Sequence, residues 1–283
     1  MTAEQTPDWA TARSDKWRRQ IVGLEAMLAP LDGPLIEALA LDGAVRVADV
    51  GCGGGATTRA VLAAAPAGSV AHGYDLSAAL IEVARRRLPA PAGGAAFEVA
   101  DMGTASPPQH RYDRLVSRMG VMFFPQPAAA FANLRRWLAP GGRFAFAVWG
   151  PVEDNVWMTE TRRAVAQAIA LPPIDPALPG PFRYGDADAL IALLDDADFT
   201  DLRVRDWRRD LPIGAGLATA AAAQFALDAF SQFAEQLAAA GGQASTVAQH
   251  ALTARFAPFA GADGVRMPAR VHIVSGATKG ARS

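Results

Sequence analysis

The segment from Val47 to Thr58 constrains the fold of this 283-residue chain more than any other. It begins with a near-continuous apolar run, which is typical of a strand covered on both faces. The chain then passes through a glycine-rich loop and continues from Ala56 as a helix. Gly51 and Gly53 have no Cβ, so the backbone can turn sharply there and a ligand can lie against it. The segment therefore predicts a crevice for a polar or anionic nucleoside-type ligand, because the first amides of the helix face the loop.

Strands and helices alternate through the rest of the chain. Helices are predicted over 8–30 and 35–41, ahead of a first strand at 45–50. Further strands are predicted at 69–75, 96–101, 112–117, 143–149, 202–211 and 269–275, with helices between them. This order predicts an α/β fold: a seven-stranded, mostly parallel, doubly wound Rossmann-like sheet with an antiparallel last strand, N-terminal helices and a helical cap.

Charge and cysteine content narrow the function classes. The chain has 27 Lys and Arg against 28 Asp and Glu, so nothing favours a nucleic-acid or membrane surface. Cys52 is the single cysteine, which excludes an internal disulfide and fits a reducing compartment. The N-terminus lacks the apolar core of a signal peptide, and no uncharged apolar run approaches membrane-spanning length. We expect a soluble cytoplasmic protein with a small-molecule substrate as its partner; nothing in the sequence specifies an oligomeric state.

Two kinds of nucleotide ligand fit the glycine loop. Gly51-x-Gly53-x-x-Ala56 matches the dinucleotide fingerprint, and Asp75 lies near the expected distance for a ribose-binding carboxylate. Two acids argue against NAD. Asp49 stands directly before the loop, and Asp101 ends the third predicted strand.

Five motifs in a fixed order resemble the bacterial class I S-adenosylmethionine (SAM)-dependent methyltransferases. They lie at 47–53, 74–77, 101–102, 117–124 and 138–143. Within that family the chain looks like the small-molecule methyltransferases related to the ubiquinone and menaquinone group. The similarity covers roughly residues 15–207, and the insertion at 213–262 is not diagnostic of it.

The resemblance implies a single methyltransferase domain over 1–283. Its expected parts are an N-terminal helical layer at 1–43 and a SAM-binding core at 44–150. Helical cap segments follow at 151–200 and 213–262, and the last strand pair falls at 201–212 and 269–276.

The resemblance also implies the cofactor contacts. The loop residues Asp49, Gly51 and Gly53 would hold the methionine part of SAM. Asp75 would accept hydrogen bonds from both ribose hydroxyls, since a carboxylate can serve a vicinal diol. The remaining positions are Leu76 against the adenine, Asp101 and Met102 at its amino group and ring nitrogen, and Ser117 and Arg118 at the methionine end.

The methyl acceptor is expected beside the residues that follow the fourth and fifth strands. The predicted contacts are Met119, Phe123, Asn155 and Trp157, together with Trp17 from the N-terminal helix. An aromatic, methionine-rich wall favours an apolar, aromatic or amine-bearing acceptor. Transfer would be an in-line SN2 displacement. We identify no general base and no metal-ligand cluster, so the catalytic residue is unknown and no metal is expected.

Two alternatives remain. One is an NAD(P)-dependent oxidoreductase using the same loop, although nothing resembles a catalytic Tyr-x-x-x-Lys. The other is a SAM-binding regulatory protein without chemistry.

Overall fold

The computed structural model describes residues 12–88, 93–229 and 231–280. The strands are β1 Arg46–Val50, β2 Val70–Asp75, β3 Ala95–Val99, β4 Tyr112–Arg118, β5 Leu138–Trp149, β6 Phe199–Ile213, β7 Ala260–Gly261 and β8 Gly264–Thr278. The helices are α1 Ala12–Leu28, α2 Asp32–Leu39, α3 Ala56–Ala64, α4 Ala78–Arg86, α5 Pro127–Trp137, α6 Val156–Val165, α7 Ala187–Asp196, α8 Thr219–Ala229, α9 Ser231–Ala240 and α10 Gly242–Phe256.

One sheet joins all the described strands, in the order β3-β2-β1-β4-β5-β8-β6. Strands β1 to β5 run parallel, and β8 is antiparallel to both β5 and β6. This confirms the predicted mostly parallel sheet with an antiparallel last strand. The sequence analysis did not predict β7, a two-residue eighth strand that pairs only with the start of β8. Chain order reverses between β1 and β4, and a crevice opens at such a switch point.

The first strand is buried as its apolar run predicts. Val47, Ala48 and Val50 are almost fully inaccessible, and so are Leu115 and Val116 on the neighbouring β4. Because both faces of these strands are covered, a ligand can approach them only at their carboxyl ends. The cavity described below lies at those ends.

Three strands, β5, β6 and β8, extend beyond their predicted bounds by more than one residue. β5 begins at Leu138, because that residue pairs with Tyr112 before an irregular step brings Arg143 opposite Arg114. β6 and β8 pair along their whole length, from Phe199↔Thr278 to Ile213↔Val265. Most side chains of β6 are exposed and many are charged, which protects an edge strand from pairing with another chain.

The helical insertion between β6 and β7 supports the N-terminal layer. Helix α8 packs on α1, and α10 packs on α6. The approach of α8 is close: a Cβ on Gly23 would lie 2.6 Å from Cε2 of Phe225. No helix within the described ranges is both long and apolar enough to cross a membrane.

Candidate functional site

A cavity of about 460 Å³ opens where β1, β2, β3 and β4 end. Its floor is the glycine loop after β1, and α1 forms a wall with Ile21, Leu24, Glu25 and Leu28. Pockets of this volume hold cofactor-sized ligands. The cavity therefore lies at the crevice that the strand order creates.

The glycine loop is held from β2 and pressed against the loop after β4. Gly51 and Cys52 donate their backbone N–H groups to the Tyr74 carbonyl at 2.8 and 3.0 Å. Gly51 has φ +70°, and a Cβ there would lie 3.1 Å from the Gly120 Cα, so neither loop has room for a side chain at this contact. A Cβ on Gly53 would meet only Ile21 Cδ1, at 3.9 Å. The backbone at Gly53 is therefore open to a ligand.

Asp75 ends β2 with its carboxylate fixed by two backbone donors. Gly53 N–H donates to Oδ2 and Ser77 N–H donates to Oδ1, each at 2.9 Å. Burial raises the pKa of this carboxyl, and the two N–H bonds oppose that rise. Each oxygen keeps a further lone pair, so the group can still accept from a diol. Leu76, which is 45% exposed, continues the cavity wall beside it.

Asp49 lies beneath the loop and does not line the cavity. It is 1% exposed, and Thr58 Oγ1 donates to its Oδ2 at 2.7 Å. Its Oδ1 is buried and has no hydrogen-bond partner among the described residues. Burial raises the pKa of the Asp49 carboxyl to about 7, while the Thr58 bond and the Arg118 charge oppose the rise. A buried acid directly beneath the cavity floor favours a cationic ligand group bound above that floor, because a nearby positive charge stabilises the carboxylate.

The loop after β3 forms the opposite wall. Asp101 Oδ1 accepts from Gly103 N–H at 2.8 Å, and Oδ2 accepts from Thr104 Oγ1 at 3.0 Å. Asp101 and the buried Met102 both line the cavity. The carboxylate thus shapes its own turn while facing the site.

The end of β4 closes the far side. Arg118 lines the cavity with its guanidinium 2.9 Å from the Asp32 carboxylate on α2. Met119 follows with φ +66°, a backbone conformation that is uncommon outside glycine. Phe123 and Phe124 continue this wall, and the Phe124 ring packs edge-on against Phe131.

The comparisons with known proteins agree with this geometry. Residues 47–142 match the family model of a methyltransferase domain. The trans-aconitate 2-methyltransferase of Methylobacterium nodulans is 34% identical over 120 residues, which cover 42% of this chain and 44% of that protein. The enzyme of the same name from Variovorax paradoxus is 31% identical over 160 residues, covering 56% of each chain. This chain therefore aligns with about half the length of these curated relatives.

A solved structure shares the fold over nearly the whole chain. The phosphoethanolamine N-methyltransferase 2 of Haemonchus contortus, solved with S-adenosyl-L-methionine, superposes with a TM-score of 0.57 at 14% identity. The alignment covers 96% of this chain and 61% of that one. Sheet order, glycine loop and family match now point the same way. Over residues 47–142 the chain is similar to SAM-dependent methyltransferase domains.

The cavity brings together most of the predicted site residues. Gly51, Gly53, Asp75, Leu76, Asp101, Met102, Arg118, Met119 and Phe123 all line it. Asp49 and Ser117 lie one layer below. Ser117 is fully buried, and its hydroxyl donates to the Val50 carbonyl at 2.7 Å while accepting from Gly120 N–H at 3.3 Å. Its side chain joins β1 to the loop after β4.

Two predicted acceptor contacts are corrected by the structure. Asn155 is fully buried; its amide donates to the carbonyls of Gly150, Pro151 and Arg270 and accepts from Arg270 N–H. Trp157 is also fully buried and packs on Trp149 at 5.1 Å between ring centroids. Both residues are fully buried behind β5, and neither is among the residues that line the cavity. The Trp17 side chain lies outside the described residues.

The sequence analysis placed the N-terminal helix at the site only through Trp17 and missed the four α1 residues that line the cavity, Ile21, Leu24, Glu25 and Leu28. The spacing of Ile21, Leu24 and Leu28 predicted a helix with one apolar face, but the sequence does not show which surface that face covers. Glu25 gives no signal on its own, because its partner Arg87 lies 62 positions further along the chain. No cluster of three potential metal-ligating residues occurs in the described ranges.

Proposed function

We propose that the protein transfers the methyl group of SAM to a small-molecule acceptor. The observation that carries this proposal is the charge of the cavity. The described lining holds three carboxylates, Glu25, Asp75 and Asp101, and one arginine, Arg118. Glu25 is paired with Arg87 and Arg118 with Asp32, so the lining charges that no described ion pair compensates are those of Asp75 and Asp101. SAM carries an ammonium, a sulfonium and one carboxylate and is cationic overall, whereas NAD(P) presents an anionic pyrophosphate. An acidic cavity favours the cationic ligand and disfavours the oxidoreductase alternative.

The described residues fit SAM at specific positions. The buried, unpaired Oδ1 of Asp49 supports a place for the ammonium above it, and the open backbone at Gly53 allows close approach. The carboxylate of Asp75 is aimed into the cavity with lone pairs free for the ribose hydroxyls. Asp101 and Met102 would meet the adenine.

SAM supplies an electrophilic methyl group on a sulfonium sulfur. The chain has to align the acceptor with that carbon and exclude water, which can lower the barrier by about 7–11 kcal/mol at best. α1 covers the cavity on one side, and Met119, Phe123 and Phe124 wall it on the other. Alignment between these walls is the main catalytic contribution that we propose.

No residue of the described lining is proposed as a general base. Glu25 is held by Arg87 at 2.7 Å. The hydroxyl of Tyr74 is 2.6 Å from that of Tyr112, and burial raises the Tyr74 pKa. Glu25 and Tyr74 are thus engaged within the protein, and we assign the other two lining carboxylates, Asp75 and Asp101, to the cofactor. We propose that the acceptor reacts without proton transfer to a side chain.

The acceptor wall favours an apolar, aromatic or amine-bearing molecule. Met119, Phe123 and Phe124 supply thioether and aromatic surface that can also contact a cationic amine. The only cation of the described lining, Arg118, is engaged by Asp32, so an anionic acceptor would meet no unpaired positive charge. A cytoplasmic location remains a prediction from the cysteine content.

Calorimetric titration with SAM and NADH tests the cofactor, and transfer of an isotopically labelled methyl group into a metabolite extract tests the chemistry. We expect SAM to bind and NADH not to bind. Asp75→Ala should weaken SAM binding by about 1.5–3 kcal/mol, because charge-assisted hydrogen bonds are lost. Asp195→Ala, at an exposed position on α7, is the matched control. Binding of NADH alone would overturn the proposal, and SAM binding without labelled product would favour the regulatory alternative.

A further inference from the structure

The loop that follows β3 depends on a donor from another element. Within the turn, the Asp101 carbonyl accepts from the N–H groups of Thr104 and Ala105 at 3.1 and 2.7 Å. The Asp101 side chain accepts from Gly103 and Thr104. These bonds satisfy the amides of the turn but leave the carbonyls of Met102 and Ala105 directed towards α5.

Asn133 on α5 supplies the missing donors. Its Nδ2 donates to the Met102 carbonyl and to the Ala105 carbonyl, each at 2.8 Å. Asn133 is 8% exposed, and Arg136 donates to its Oδ1 at 3.3 Å. Trp137 adds a longer bond from Nε1 to the Ala105 carbonyl at 3.3 Å. A carboxamide is suited to this place, because its two N–H groups diverge enough to bond two carbonyls.

We infer that Asn133 is a positioning residue for the cofactor's base, an inference that rests on the proposed function. Asp101 and Met102 line the cavity on one side of the loop, and Asn133 holds the same loop from behind. If the Met102 and Ala105 carbonyls lost their donor, the peptide planes on either side would rotate to find water. The polar groups that face the adenine would move with them.

The test compares two buried asparagines with similar bonding. Asn133→Leu removes both donors at nearly constant volume, and Asn155→Leu does the same in the core behind β5. S-adenosylhomocysteine (SAH) and S-inosylhomocysteine, which has an oxo group in place of the adenine amino group, serve as probes. We expect Asn133→Leu to bind SAH about tenfold more weakly and to lose most of its preference for SAH over the inosine analogue. Asn155→Leu should keep the affinity and the preference even where its melting temperature falls equally.

Unchanged SAH affinity and unchanged preference in folded Asn133→Leu would overturn the inference. If that variant does not fold, Trp137→Phe removes the weaker donor to Ala105 and should shift both readouts in the same direction by a smaller factor. If wild type does not bind SAH, the proposed function fails instead. Hydrogen exchange of the Thr104 and Ala105 amides then still decides whether Asn133 holds the loop, since their protection should fall in Asn133→Leu and remain in Asn155→Leu.

Discussion

Asp49 combines three properties that are rarely found together: it is buried, it has an unused oxygen, and its pKa is raised to about 7. Burial without a cation disfavours the ionised carboxylate. A ligand ammonium placed above Oδ1 would favour it again. Cofactor binding and ionisation of Asp49 should therefore be linked.

Cofactor affinity should rise with pH through the Asp49 titration. Between about pH 5.5 and 7.5, we expect SAH affinity to increase by roughly an order of magnitude as a proton is displaced from the carboxyl. Calorimetry in buffers of different ionisation enthalpy measures that proton directly. Asn at this position can still accept from Thr58, so Asp49→Asn should fold, bind more weakly and show a flat profile. A wild-type affinity that does not vary with pH would contradict the proposed ammonium position.

The stability of the ligand-free protein should change with pH in the opposite direction to the cofactor affinity. Because the pKa of Asp49 in the folded protein lies above the ordinary aspartate value of 3.8, the ligand-free fold retains a proton that the unfolded chain releases. Its stability therefore falls as pH rises from about 4 to 7. Burial also raises the pKa of the Asp75 carboxyl and of the Asp32 carboxyl. The acidic cavity destabilises the ligand-free protein near neutral pH, and a cationic ligand offsets that cost.

Helix α1 is held over the cavity by an ion pair to the segment after α4. Arg87 lies 2.7 Å from Glu25 and also donates to the Gly54 carbonyl at 3.3 Å. Both side chains are mostly buried, so the pair is screened less than a surface pair. α8 supports α1 from outside through the contact between Gly23 and Phe225.

Breaking this ion pair should loosen the cavity wall. We expect Arg87→Met to speed SAH dissociation by about three- to tenfold, since a partly buried Glu25 loses its partner. Stopped-flow displacement measures the rate. The adjacent Arg86 pairs with Glu82 on an exposed face, so Arg86→Met is the matched control and should leave the rate unchanged. Equal rates in both variants would show that α1 does not limit ligand release.

At the scale of the molecule, the sequence predicted those features of the fold that depend on residues close together in the chain. The acids at strand ends predicted that Asp75 and Asp101 meet at one edge of the sheet, because parallel strands end at a common edge, and the resemblance added Met102. All three line the cavity. Asn155 followed the same rule and was misplaced. The chain turns back after β5, and Asn155 bonds to Arg270, 115 positions away. Contacts at such separation leave no periodic signal in one sequence.

The predicted helical cap is a second case in which the helices could be predicted but their contacts could not. Residues 213–262 are largely helical as expected, but every described residue that lines the cavity lies between Ile21 and Pro125. Within the insertion, α8 packs on α1 and α10 packs on α6, and the apolar α10 residues Leu252 and Phe256 are fully buried. Helical propensity could be predicted from the alanine content, whereas the surface that the helices cover could not.

Because the described residues of the insertion at 213–262 do not line the cavity, a substitution there should lower stability without weakening ligand binding. Leu252 on α10 is fully buried away from the cavity, and Leu24 on α1 is 4% exposed and lines it. Leu252→Ala should lower the melting temperature by roughly 5–15 °C, through loss of packing and a residual cavity. We expect its SAH affinity, measured well below the transition, to stay within about twofold of wild type, because transfer of strain through α6 and α8 is small at this distance. Leu24→Ala should weaken SAH binding as well as stability. Equal loss of SAH affinity in the two folded variants would mean that the insertion does reach the ligand, as the predicted cap required.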